Sequence, residues 1–108
     1  MIKIFWLVLY YSIKKIMPYT ITSYTKAQAR KLGVVVKPSK VKGKKIDVFK
    51  NGKKVASVGA LGYGDYPTFK RTKGKEYADK RRKAYKQRHQ KNRTIRNSNG
   101  YYADKLLW

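Results

Sequence analysis

Whatever chemistry this chain performs has to be done by cations. From Lys70 to Arg96 thirteen Lys or Arg stand against Glu76 and Asp79. Lys70, Arg71, Lys73, Lys80, Arg81, Arg82, Lys83, Lys86, Arg88, Lys91, Arg93 and Arg96 are the residues placed to meet an anionic surface, whether nucleic acid, lipid or acidic protein. Solvated helix faces ordinarily interleave both signs of charge, and this segment does not. Lys and Arg on phosphate supply affinity without sequence choice, and their signature is affinity that falls steeply with salt. The standard groove-entering motifs and the RNA-recognition signature are both missing, so any nucleic-acid binding is expected to be sequence-tolerant.

Other chemistries lack their residues. The chain has no Cys, one His (His89) and five Asp or Glu. No two carboxylates are spaced to work as an acid–base pair, and no thiolate nucleophile, disulfide or zinc set can be assembled. His89 lies in the basic segment and reads as a surface or hydrogen-bonding side chain. The stretch Gly59-Ala-Leu-Gly-Tyr-Gly-Asp-Tyr-Pro67 invites a phosphate-loop reading, yet it lacks the Gly-Lys-Ser/Thr ending and the strand–helix context that such loops need. It reads instead as a chain reversal in which Gly supplies positive φ, Tyr63 and Tyr66 pack alongside, and Asp65 caps the turn. The expectation is no enzyme, no cofactor, no metal and no small-molecule substrate.

Several elements must position the cations. Ile46 to Val58, with Asn51-Gly52 at its centre, is a β-hairpin closed by a two-residue turn. Closing it on Lys50 and Lys53 pairs Val48 with Val55 and puts Ile46 on their face, with Phe49, Ala56 and Val58 on the other. Lys75 to Asn92 contains no Pro or Gly and predicts a helix begun at Thr72 or Gly74. Its narrow apolar stripe of Tyr77, Ala78, Ala84 and Tyr85 offers a surface for the hairpin. Like charges at helical spacing oppose this helix by about 0.3 kcal/mol per pair, a penalty that counter-anions would remove. Upstream, Thr25 and Gln28 form a capping box for a short helix over 26–32, with Arg30 and Lys31 in its last turn and Gly33 as its left-handed stop. Residues 19–24 and Val34–Val36 predict short strands, and Ser39 to Lys45 a solvated loop. The fold class expected is small α+β: one β-hairpin (about 46–58) packed by a basic helix (about 75–92), with extended N- and C-terminal arms. The division is 1–18 as an apolar arm or extension, 19–96 as the basic domain and 97–108 as an aromatic and leucine-rich tail.

The chain has 108 residues and a formal net charge of +23. A free small domain is suited by a net charge of roughly 2 to 8, so this polypeptide repels itself until something anionic meets it. Ile4 to Ile13 is uncharged but far shorter than the roughly 20 residues that span a bilayer. Lys14 and Lys15 close the run, and no small-residue cleavage site follows it. It stands open as a buried element, a membrane-surface or partner-docking segment, or an extension ahead of a start at Met17. Phe5, Trp6 and Leu7 at one end, and Tyr101, Tyr102, Leu106, Leu107 and Trp108 at the other, are the candidate protein-docking residues. The tail either folds back on the hairpin or inserts into a neighbour.

The run Val58-Gly-Ala-Leu-Gly-Tyr-Gly-Asp-Tyr-Pro-Thr-Phe69, the helix Tyr77-Ala-Asp-Lys-Arg-Arg-Lys-Ala-Tyr-Lys-Gln-Arg-His89 and the ending Gly100-Tyr-Tyr-Ala-Asp-Lys-Leu-Leu-Trp108 resemble a family of small basic proteins of large nucleocytoplasmic DNA viruses, of chlorella-virus and giant-virus type. The resemblance covers about Tyr19 to Trp108. It implies a viral origin and carries no activity with it. The role expected from that setting is a non-enzymatic virion structural protein, a minor capsid or cement component on the inner face of the shell. Its partners would be the major capsid protein and other minor capsid proteins, met through the arms and the basic helix. The alternative is a sequence-tolerant nucleic-acid-binding protein for genome packaging or condensation. DNA, and the inner membrane surface through residues 4–13, are the further candidate partners.

Overall fold

The computed structural model describes residues 19–108, so the apolar segment 1–18, with Phe5, Trp6 and Leu7, lies outside the described residues. Helix α1 (Ser23–Leu32) starts one turn earlier than the capping box suggests: Thr22, not Thr25, is the N-cap, and its hydroxyl accepts the Thr25 N–H at 3.2 Å. Thr25 is released for tertiary work. It is fully buried and its hydroxyl donates to the Leu106 carbonyl at 2.8 Å. The strand expected over 19–24 is therefore not formed, because half of that segment is the cap and first turn of α1. Gly33 ends the helix at φ 70 as expected, with its N–H on the Ala29 and Arg30 carbonyls.

Strands β1 (Val35–Pro38), β2 (Lys44–Lys50) and β3 (Lys53–Ala60) form one antiparallel sheet in the order β1-β2-β3. Asn51 and Gly52 take φ 53 and φ 78, the double positive φ of the tight hairpin turn. Lys50 pairs with Lys53, but a bulge then intervenes: Phe49 faces Lys54 while Val48 faces Ala56 and Ile46 faces Val58. The expected Val48–Val55 pairing is thus replaced. An extra residue on one strand turns the following side chains to the opposite face. Ala56 and Val58 thereby join Ile46 and Val48 in the core, while Val55 is left 40% exposed.

After the hairpin come α2 (Tyr66–Lys73), α3 (Lys75–Arg88), α4 (Gln90–Arg93) and α5 (Asn99–Leu107). The C-terminal segment corrects the expectation of an extended arm. Ser98 caps α5 by accepting the Tyr101 N–H at 3.1 Å, and α5 packs on β3 and α1. Tyr102, Leu106 and Leu107 are buried with Ala29, Val34, Ile46, Val48, Ala56 and Val58 in a single core. Burying each leucine is worth about 2 kcal/mol, and among the described residues no other helix buries a leucine against the sheet. The basic helix α3 buries only Ala78 and packs chiefly on α2, so it does not cover the hairpin as expected. It also stops at Arg88, where His89 leaves helical geometry at φ −107, ψ 20 before the short α4. The protein is a small α+β fold of three strands and five helices among the described residues, and no helix there is long and apolar enough to cross a membrane.

Candidate anion-binding surface

The placement of the carboxylates decides what the surface presents. Asp47 is buried on β2, where it accepts from the Ser39 hydroxyl (2.5 Å), the Ser57 hydroxyl (2.7 Å) and the Lys40 N–H (3.1 Å). Asp65 is fully buried; it caps α2 through the Thr68 N–H at 3.1 Å and accepts from Tyr19 at 2.6 Å and the Lys45 ammonium at 2.9 Å. Burial pushes both carboxyls upward, but the hydrogen bonds outweigh it and hold each below its ordinary value. The Tyr19 hydroxyl is pushed well up by burial and by its bond to Asp65. Asp104, buried on α5, pairs with Lys86 at 2.9 Å and Arg93 at 3.8 Å. Asp79 takes Lys75 at 2.7 Å and the Tyr66 hydroxyl at 3.0 Å, and these bonds lower its carboxyl. Glu76 is exposed. Most of the negative charge is therefore turned inward, and the outer surface is left to lysine and arginine.

The twelve predicted contact cations divide into two groups. Lys70, Arg71 and Lys73 on α2, Lys80, Arg81, Lys83 and Arg88 on α3, Lys91 on α4 and Arg96 beyond it are all exposed. Arg81 is steadied by the Phe69 ring at 5.5 Å. Arg82, Lys86 and Arg93 are half-buried and hold the fold together. The Arg82 guanidinium lies 3.4 Å from the centre of the Tyr66 ring and donates to the Tyr24 hydroxyl at 3.4 Å. Lys86 and Arg93 tie α3 and α4 to Asp104 of α5, and Arg93 also donates to the Lys86 carbonyl and the Gln90 side chain. Lys45 is the cation that sequence reasoning misplaced: assigned to a solvated loop, it is 4% exposed and neutralises Asp65. No local pattern marks it, because its partner lies twenty positions away.

The candidate docking residues at the C-terminus are not a free surface. Tyr102, Leu106 and Leu107 are core, Tyr101 packs edge-on against Tyr102, and Trp108 stacks on Tyr85 with ring centres 4.4 Å apart and planes 7° from parallel. His89 continues that stack, 4.4 Å from Tyr85, and no group of potential metal ligands occurs among the described residues. In the chain reversal Tyr66 is buried, but Tyr63 is 76% exposed rather than packed as expected. No protein-family model, curated protein or solved structure matches this chain.

Proposed function

We propose that this protein is a non-enzymatic, sequence-tolerant binder of nucleic-acid phosphate, serving the packaging or condensation of a viral genome, the setting that the sequence resemblance implies. The observation that carries this reading is the segregation of charge. Asp47, Asp65 and Asp104 are buried and bonded internally, while ten cations of the 70–96 segment face solvent. Such a surface binds by releasing counterions, with log affinity falling by about 0.9 per phosphate contact for each unit of log salt on duplex DNA. The test is a salt titration of duplex binding by fluorescence anisotropy. The wild type should give a steep line, and the Lys80→Gln, Arg81→Gln, Lys83→Gln, Arg88→Gln variant should lose about 0.9 of slope for each of these side chains that touches phosphate. A flat response in the wild type refutes the reading.

A second reading, a minor capsid or cement protein on the inner face of the shell, is favoured by a different observation. Leu61 and Tyr63, on the turn between β3 and α2, are 48% and 76% exposed, and the Leu61 N–H bonds the Gly43 carbonyl between the exposed Lys42 and Lys44. An apolar tip flanked by cations suits an acidic capsomer base. Fractionation of particles separates the two: the protein should leave with the genome after nuclease treatment on the first reading and stay with the shell on the second.

A further inference from the structure

The three cations that the fold engages internally converge on one place. Arg82, Lys83, Lys86 and Arg93 line an open cleft of about 530 Å³ along α3 and α4. Lys75, already paired with Asp79, stands at the same cleft, as do the side-chain amides of Gln87 and Gln90. The internal contacts orient these groups without exhausting them. Lys86 has three N–H donors, gives one to Asp104 and keeps a third of its side chain exposed. The Arg82 guanidinium is held 3.4 Å over the Tyr66 ring centre, and its Nε is buried without a hydrogen-bond partner. Asp104 Oδ2, behind Lys86 and Arg93, is likewise buried without a hydrogen-bond partner, so what the cleft offers a ligand is its surplus of charge and the solvent-reachable donors of Lys83, Lys86 and Arg93. Ordering costs that normally weaken Lys and Arg contacts have already been met here by Asp104, Tyr66 and Gln90.

Resting on the nucleic-acid reading above, we infer that this cleft is the seat of one phosphomonoester group, of the kind carried at a phosphorylated strand end. Five cationic side chains line it against Asp79, with Asp104 buried behind Lys86 and Arg93, so the excess is positive and suits a dianion better than a single diester charge. The cleft is open to solvent, so a terminal phosphate can reach the exposed Lys83 and the part-exposed Lys86 ammonium. The same oxyanion chemistry is offered by free inorganic phosphate.

The test uses the full chain and two DNA oligonucleotides that differ only in a 5′-phosphate or 5′-hydroxyl, with inorganic phosphate as a third probe, read by anisotropy and by amide chemical shifts. Wild-type protein should prefer the phosphorylated end by about tenfold, the yield of one charge-assisted contact. Lys83→Gln and Gln87→Glu, both at exposed positions in the cleft, should erase the preference while leaving the thermal melt unchanged. Lys80→Gln, an equal charge change away from the cleft, should weaken both oligonucleotides alike. Phosphate-induced shifts confined to Lys83–Arg93 without a strand-end preference support the seat with free phosphate as its occupant. Equal binding of both ends, with no such shifts, overturns the seat while leaving salt-dependent duplex binding intact. Shifts with phosphate but no DNA binding at all keep the seat and remove the nucleic-acid reading.

Discussion

The buried pair of Lys45 and Asp65 is where a single substitution should do the most damage. Their side chains are 5% and 1% exposed, and Asp65 also caps α2 and holds Tyr19. Asp65→Ala strands the Lys45 ammonium in the interior, a loss of about 3–5 kcal/mol when one partner of a buried pair is removed. Loss of the N-cap adds about 1 kcal/mol. Tyr19 is only half-buried and can turn to water, so its lost bond adds little. The expected total, about 4–6 kcal/mol, is comparable to the lower end of the whole stability of a domain this size, about 5–16 kcal/mol at 0.05–0.15 kcal/mol per residue. Urea denaturation followed by circular dichroism measures it. With a slope of about 1–3 kcal/mol per molar, the midpoint should fall by about 1.3 M or more, or the variant should be unfolded without denaturant. Lys45→Met with Asp65→Asn removes both charges and keeps a capping side chain, so it should cost about 1–2 kcal/mol, well under the single Asp65→Ala change. An Asp65→Ala protein within about 1 kcal/mol of the wild type would refute the assignment of this pair as the interior tie between β2 and α2.

The same carboxylates set the pH dependence. Asp47 and Asp65 titrate lower in the folded chain than in the unfolded one, so their contribution is fully present above about pH 4 and drains away as pH falls through the folded values. Urea midpoints should be level between pH 7 and 5 and drop sharply towards pH 3. Leu106→Ala should cost about 2–5 kcal/mol in the same assay, because α5 supplies the cover of the sheet; a loss below 1 kcal/mol would mean that the tail is not core. Gly59→Ala combines φ +82 with a Cβ placed 2.8 Å from Leu107 Cδ1 and 2.9 Å from Lys45 Cδ, so it should destabilise by about 1–3 kcal/mol, read as a fall in thermal midpoint.

The split of the basic segment into outward and inward cations alters how its mutants should be interpreted. Arg82, Lys86 and Arg93 look interchangeable with Arg81, Lys83 and Arg88 in a list of charges. Substituting the first set perturbs the contacts of α3 with Tyr66, Tyr24 and Asp104 before it perturbs any ligand. Substituting the outward set changes surface charge first, with the Arg81 contact to the Phe69 ring as the exception.

Local patterns in the sequence determined much. Asn51-Gly52 specified the hairpin turn, Gly33 stopped α1, and the absence of Pro and Gly after Lys75 allowed α3, because each of these rests on backbone sterics within a few residues. The surplus of Lys and Arg over Asp and Glu likewise set the sign of the surface before any coordinates. Tertiary structure alone decided the rest. Whether Val48 faced Val55 or Ala56 depended on a bulge that brings four apolar residues to one face, and the core, not the turn, selects that register. Whether Leu106 and Leu107 formed an arm or a core depended on the sheet needing a cover that the charged faces of α3 could not supply. Lys45 and Asp104 acquired their roles only when partners twenty and eighteen positions away were brought within hydrogen-bond distance, and burial then made those pairs obligatory because an unmatched charge cannot stay in the interior.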